Sequence, residues 1–242
     1  MNKHPLTLLL AVASGLATSI TTHAAIITWG AATNITPTAT GELSDVSTNG
    51  SLIGAFNVGD TGVAAATLNG VNFQSFAVPN GSAGATVGNF TIATAPAGAN
   101  NIGFGLGAAP FSTLSSAYQT FLASGLHQGF GFTLTISGLN VGTQYEFQWW
   151  ANSSNAGQAT SSATAGNTVT LLTRNPEGPG SVGQFALGTF TANSATQSVA
   201  FGGSLPTLNG FQVRQVPEPS TWALLGLGLP ALLASRRRNR KA

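Results

Sequence analysis

Apolar and small polar residues alternate along much of the chain. In the run Phe132 to Ile136, every second side chain is apolar, which is typical of a β-strand with one buried face. Comparable short runs, separated by glycine-containing turns, occupy 26–29, 51–58, 67–73, 87–93, 130–136, 144–150, 167–173, 184–191, 197–201 and 207–213. The pattern predicts one all-β domain over residues 25–215, an antiparallel β-sandwich of jelly-roll type.

One segment departs from this period of two. Between residues 112 and 124 the apolar side chains fall at helical spacing. Ser112 is placed to cap the start, and Gly125 stands where a glycine commonly follows a helix. We expect one short helix here, packed over an end of the sheets.

Two Asn-Gly dipeptides stand between apolar residues. Asn69-Gly70 predicts a hairpin with a type I′ turn, because both turn residues can adopt positive φ. Asn209-Gly210 repeats the dipeptide inside a later strand run. We interpret it as a second hairpin, although its flanks differ too much for a sequence repeat.

The N-terminal residues follow another pattern. A short basic start precedes a mostly apolar run from Leu6 to Ala17, and small residues follow at Ala24 and Ala25. This order predicts a signal peptide over residues 1–24, cut after Ala24 or Ala25. A retained membrane anchor is the alternative, but the apolar run is short for one.

The C-terminal residues 216–242 consist of three parts. Pro217, Glu218 and Pro219 come first, and an apolar run without charge extends from Thr221 to Ala234. As a helix this run would be roughly 21 Å long, shorter than a bilayer core of ~30 Å. The chain ends in a basic cluster that would stay in the cytoplasm and leave the preceding domain outside; it comprises Arg236, Arg237, Arg238, Arg240 and Lys241. The alternative, a buried C-terminal helix, should have a polar face, which this run lacks.

This order of parts resembles the PEP-CTERM sorting signal of bacteria, a tail type also found on proteins described as ice-binding. The resemblance implies that Pro217, Glu218 and Pro219 are recognised by a membrane protease of the exosortase type, which removes the segment behind them. It also implies a single C-terminal membrane helix, transient anchoring in the inner membrane, and a final place in the cell envelope or outside the cell. Extracellular polysaccharide is the further partner that it implies. A flat ice-binding face would need regularly repeated Thr-x-Thr, and only isolated instances occur.

Removing both ends changes the charge of the protein. The full chain has 8 Lys+Arg against 6 Asp+Glu, but the predicted domain keeps only Arg174 and Arg214 against five acids, a net charge of −3. A domain without a cationic face does not neutralise phosphates, so we exclude nucleic acid as a partner. The chain has no cysteine, which excludes thiolate catalysis and thiolate metal sites.

The strand predicted at 144–150 carries the best candidate for ligand binding. Successive side chains point to opposite faces, so Glu146, Gln148 and Trp150 share one face. An aromatic ring beside a carboxylate and an amide can stack on a sugar and bond its hydroxyl groups. The alternative is that neighbouring segments cover this face too.

The sequence contains few residues that indicate catalytic chemistry. His127 could act as a general base with Asp45 or Asp60, but no Gly-x-Ser-x-Gly elbow accompanies it. A glycan hydrolase would need two carboxylates about 5 to 9.5 Å apart, and the five acids are scattered. Glu42 and Asp45 could hold calcium or could be solvated turn acids. We therefore predict a protein without enzymatic activity, cofactor or metal, with a carbohydrate-binding module and a glycan hydrolase as alternatives.

The stretch from Ile136 to Tyr145 resembles a sequence motif that is common in the sandwich domains of PEP-CTERM proteins and in β-sandwiches similar to carbohydrate-binding modules. The resemblance implies a tight connection between two sheet strands.

Overall fold

The structure is a computed structural model that describes residues 24–94, 100–101, 107–153 and 160–217. Residues 1–23, which hold most of the predicted signal peptide, and the tail from Glu218 onward lie outside the described residues. The strands, in chain order, are β1 Thr28–Trp29, β2 Thr33–Asn34, β3 Ser51–Gly59, β4 Ala66–Leu68, β5 Val71–Ala77, β6 Gly84–Val87, β7 Phe90–Thr94, β8 Asn100–Asn101, β9 Leu126–His127, β10 Phe132–Ser137, β11 Gln144–Ala151, β12 Thr160–Ala165, β13 Asn167–Leu172, β14 Gln184–Thr191, β15 Thr196–Gly202, β16 Thr207–Leu208 and β17 Gly210–Gln215. The helices are α1 Glu42–Asp45 and α2 Ser116–Leu122, with a 3-10 turn at Phe111–Thr113.

Two large sheets form a sandwich, which confirms the predicted all-β class. The larger sheet has the order β1-β14-β11-β17-β3-β5-β4, with β2 also paired to β14, and the smaller has the order β13-β12-β15-β10-β7-β6. A short third sheet joins β16, β9 and β8. The strands pair antiparallel except for β3 and β5, which are parallel. The jelly-roll assignment stays a prediction, because this parallel pair and the width of the larger sheet differ from two four-stranded antiparallel sheets.

The space between the two large sheets holds the main core. Leu134 and Ile136 of β10 point into it from the smaller sheet, and Phe147 and Trp149 of β11 point into it from the larger one. All four side chains are fully buried, as the period-two pattern predicts for one face of each strand.

A second apolar cluster lies on the other face of the larger sheet. Here Phe121 of α2 packs on Phe73 of β5 and on Trp150 of β11, with ring centroids 4.7 and 5.3 Å apart. The molecule thus has three layers, because α2 and the segment before β3 cover the sheet face that a plain sandwich leaves to solvent.

The predicted helix is shorter than its apolar spacing indicates. Ser115, rather than Ser112, is its N-cap and accepts the Tyr118 N–H at 3.1 Å. Ser112 belongs to the preceding 3-10 turn. The expectation of a single helix was also wrong, because α1 is a second, one-turn helix, and α2 covers a sheet face rather than an end of the sheets.

The Asn-Gly dipeptides at 69–70 and 209–210 have different roles. Asn69 and Gly70 have φ of 46° and 74°, which confirms the type I′ hairpin between β4 and β5. The second hairpin was wrong, because β16 pairs with β9 whereas β17 pairs with β3 and β11. Asn209 is fully buried, and its amide donates to the carbonyls of Leu122 and Ser124. It therefore connects the end of α2 to the sheet.

Two further strand predictions differ from the structure. Residues 87–93, predicted as one strand, turn at Gly88 and continue as the hairpin of β6 and β7. Strand β12, Thr160–Ala165, was missed because it consists of Thr, Ser and Ala. Among the described helices, none has the length and apolarity needed to cross a membrane.

Candidate functional sites

The sorting motif predicted from the sequence begins directly at the folded domain. Gln215 is the last residue of β17, where it pairs with Ser51 and Tyr145. Val216 is buried, and its N–H donates to Gln144 O at 3.0 Å. Pro217 follows as an exposed residue, and it is the last described one. Glu218, Pro219 and the basic cluster lie outside the described residues, so the structure places only the first residue of the motif.

The predicted signal-peptide cleavage residues differ in their surroundings. Ala24 is exposed, whereas Ala25 is buried in the core between the sheets. Two residues on, the N–H of Ile27 donates to Ala165 O at 2.9 Å. The sandwich therefore includes the chain from Ala25 onward.

The loop 138–143 joins β10 of one sheet to β11 of the other, which agrees with the tight connection expected for this stretch. The hydroxyl of Tyr145 accepts the N–H of Asn140 at 2.9 Å, a contact similar to the tyrosine corner of other β-sandwiches. Leu139 and Gly142 donate to carbonyls of the β14–β15 connection at 3.1 and 2.7 Å. The loop is therefore held on several sides.

The face of β11 that was proposed to bind sugar is covered. Trp150 has an exposed fraction of 0%, Gln148 of 1% and Glu146 of 5%. Sugar stacking requires an open ring face, and the ring of Trp150 packs edge-on against Phe73 and Phe121 instead. The prediction that these three residues form a carbohydrate platform was wrong, because two other parts of the chain occupy that space: helix α2 and the segment before β3.

Gln148 is the centre of a buried hydrogen-bond network. Its side-chain oxygen accepts the Ser47 N–H at 3.0 Å and the Gln212 amide at 2.7 Å, and its amide donates to Asp45 O at 2.7 Å. Beside it, Arg214 donates to the carbonyls of residues 48, 49 and 50 at 3.2, 2.7 and 2.9 Å. The network fixes the segment 45–50 on the larger sheet.

Glu146 is the carboxylate beside Arg214. The two residues face each other on adjacent strands, and one Glu146 oxygen accepts from the Asn49 amide at 3.4 Å. Burial lowers the pKa of the Arg214 guanidinium, and the charge of Glu146 opposes this shift. Glu146 therefore accompanies a buried cation and is not available to an outside ligand.

Asp45 is a buried structural acid, so both the calcium hypothesis and the solvated-turn alternative fail to describe it. Its carboxylate accepts the Thr36 N–H at 2.7 Å and hydroxyls of Thr36, Ser44 and Tyr118 at 2.8, 3.0 and 3.2 Å. Burial and the neighbouring Asp45 charge raise the pKa of Tyr118 well above its usual range, so Tyr118 stays a hydrogen-bond donor. No cluster of three or more ionisable metal ligands lies among the described residues.

The acids and the histidine proposed for a hydrolase lie in separate networks. Asp60 accepts from the Thr61 and Asn80 N–H groups and from the Asn80 amide, and Asp45 is occupied as above. His127 lies in β9 opposite Thr207. Burial lowers the pKa of His127. Among the described residues, the hydrogen-bond donors to Asp45 and Asp60 given above do not include His127.

An open groove of about 400 Å³ lies at the edge of the larger sheet. It runs along β1 and β14 and is lined by Thr28, Trp29, Gly30, Ala31, Thr33, Leu187 and Thr189. Trp29 is half-buried; its indole N–H donates to Asn167 O at 3.2 Å, and its ring packs against Phe147. The sequence did not indicate this groove, because its residues come from an edge strand and a strand about 160 residues later.

Residues 215–240 match the family model of the PEP-CTERM protein-sorting motif. The match confirms the resemblance seen in the tail. It implies an exported protein that is processed by an exosortase, a membrane protease, and transiently anchored through its C-terminal tail. No curated protein and no solved structure matches the chain.

Proposed function

We propose that this chain is a cell-surface or extracellular-matrix protein of bacteria that is released by exosortase processing and associates with exopolysaccharide. The observation that carries the proposal is the sorting motif, which directly follows the last strand of a sandwich. The sparsely charged, hydroxyl- and amide-rich composition of the domain supports it, since such groups can hydrogen-bond a hydrated polysaccharide without a single dedicated pocket.

The proposal includes both ends of the chain. Residues 1–24 act as a signal peptide, and cleavage after Ala24 would leave the buried Ala25 in the sandwich. The run 221–234 acts as a single membrane helix, and the cluster from Arg236 to Lys241 stays in the cytoplasm.

We also propose that the domain is not an enzyme. Asp45 and Asp60 support this, because both carboxylates are engaged by donors of the protein itself. A buried Glu146 beside Arg214 supports it as well, since a catalytic carboxylate must reach its substrate.

The test is the intact mass and location of the native protein in cells with and without their exosortase. We expect loss of the C-terminal segment only when the exosortase is present, and a full-length, membrane-held product for the Glu218→Ala variant. Normal maturation of Glu218→Ala would contradict the sorting role. A full-length product in both strains would mean that the tail is only an anchor.

The groove along β1 and β14 favours a second candidate function, a carbohydrate-binding module. Its volume of about 400 Å³ is in the range of ligand sites, and it combines Trp29 with the hydroxyls of Thr28, Thr33 and Thr189. Affinity electrophoresis in the host's exopolysaccharide tests it. Retardation of the wild type that is lost in Thr189→Val, but kept in the control Thr135→Val, would support a defined sugar site in the groove.

A further inference from the structure

The chain leaves the sandwich without a linker. Val216 is hydrogen-bonded to Gln144 at the end of the sheet, and the sorting motif starts at the next residue. Pro217, the first residue of the motif, is bonded directly to Val216, and Glu218 is the next residue in the sequence. A protease that holds the motif in its active site must therefore approach the fold closely.

The strand registers place several connections of the sandwich at the end where the chain leaves. We call this surface the exit end, and it consists of residues 49–51, 88–89, 138–143, 192–195 and 217. Its parts are joined by hydrogen bonds from Ser137 N to Asn89 O at 2.8 Å, from Leu139 N to Ala195 O at 3.1 Å, and from Gly142 N to Ala192 O at 2.7 Å. The exit end is therefore preformed and would lose little conformational entropy on binding.

The exit end bears no charge. None of its residues is Asp, Glu, Lys or Arg, and the nearby Arg214 is buried under the carbonyls of residues 48–50. At the tip of the loop 138–143, Val141 has an exposed fraction of 65%. A neutral surface with one projecting aliphatic side chain can be desolvated at low cost, since no charge has to leave water.

We propose that the exit end is a docking surface for the exosortase, with Val141 as its apolar contact. This inference rests on the proposed sorting function and adds that the protease recognises folded surface as well as the motif. The order of the chain favours a protein partner over the lipid surface, because the motif directly follows Val216 and precedes the apolar run.

Two variants test the inference in the native host, each scored by the rate at which the C-terminal segment is lost. Val141→Asp places a charge on the exit end, and a Gly-Ser-Gly-Ser insertion between Val216 and Pro217 moves the motif away from it. We expect each to slow processing roughly tenfold, which is the effect of losing one contact of ordinary interface strength. Unchanged or faster processing of the insertion variant would overturn the inference.

The matched controls lie at the opposite end of the sandwich. Phe130, with an exposed fraction of 79%, precedes β10 there, and Gly62 stands in an open turn after β3. Phe130→Asp and the same insertion after Gly62 should be processed at the wild-type rate. Slowing in these controls equal to that at the exit end would overturn a specific docking surface.

Photocrosslinking identifies the partner. A photoreactive phenylalanine analogue at position 141 should form an adduct with an epitope-tagged exosortase, whereas the same analogue at position 130 should not. An adduct with lipid alone would assign the exit end to the membrane and contradict the inference. If the wild type itself is not processed by the exosortase, the sorting function fails; if it is processed but the variants behave like it, only the docking surface fails.

Discussion

The two faces of β11 are buried equally but by different means. On one face, Phe147 and Trp149 meet the apolar side chains of the opposite sheet. On the other, Gln148 and Trp150 meet α2 and the segment 45–50, with both apolar packing and hydrogen bonds. The comparison shows that alternation along a strand assigns side chains to faces, whereas a distant segment decides whether a face is open.

The largest expected effect concerns the residue that was proposed to stack on sugar. Trp150→Ala should lower the free energy of unfolding by about 3–5 kcal/mol, as for other large-to-small changes in a core. Trp149→Ala on the first face is the matched variant and should cost a similar amount. Urea denaturation of the purified protein, followed by far-UV circular dichroism, measures both.

A loss below about 1 kcal/mol for Trp150→Ala would contradict its burial, because substitutions at exposed positions usually stay within about 0.5 kcal/mol. Such a small loss would support the earlier hypothesis that Trp150 is exposed and binds sugar. Equal losses for the two tryptophans would establish that the outer cluster is as much a core as the space between the sheets.

A smaller effect on stability is expected for Gln148, whose contacts are hydrogen bonds rather than apolar packing. Gln148→Leu keeps the size of the side chain but removes the partners of the Ser47 N–H, the Gln212 amide and the Asp45 carbonyl. Leaving buried groups without partners costs about 1–3 kcal/mol. Gln74→Leu, at an exposed position of β5, is the control and should change stability little. Equal stability of the two variants would mean that the network does not hold the segment 45–50.

The strands were largely predictable because their signal is local. Runs such as Phe132 to Ile136 and the Asn69-Gly70 turn contain their own evidence in period and turn chemistry. Strand β12 was missed because Thr, Ser and Ala give no apolar alternation. The Asn-Gly dipeptide at 209–210 was misinterpreted because Asn209 uses its side chain for contacts with Leu122 and Ser124, about 85 residues earlier in the chain.

The candidate sites, like the strands, could be predicted only where their residues are close together in the sequence. The sorting motif was recognisable because its parts are contiguous in sequence, from Pro217 to Lys241. The cover over Trp150 was not, because the hydrogen bond from Gln148 to Asp45 joins residues 103 positions apart. The exit end could not be predicted either, since it is assembled from the connections of both sheets.

The smallest expected effect is the loss of the Tyr145 hydroxyl, which can be compared with the loss of the Tyr118 hydroxyl on the other side of the larger sheet. Tyr145→Phe keeps the ring that stacks on Phe190 at 5.5 Å and removes only the bond to the Asn140 N–H. Because Asn140 is exposed, water can replace the hydroxyl, and the loss should be about 0.5–1 kcal/mol.

Tyr118→Phe is the matched change on the outer side and should cost more, about 1.5–3 kcal/mol, because its hydroxyl donates to the buried carboxylate of Asp45. The comparison becomes sharper if processing is measured as well. If the exit end docks the exosortase, loosening the loop 138–143 by Tyr145→Phe should slow processing. Tyr118→Phe should lower stability without slowing processing. The reverse result would mean that processing follows overall stability rather than the shape of the exit end.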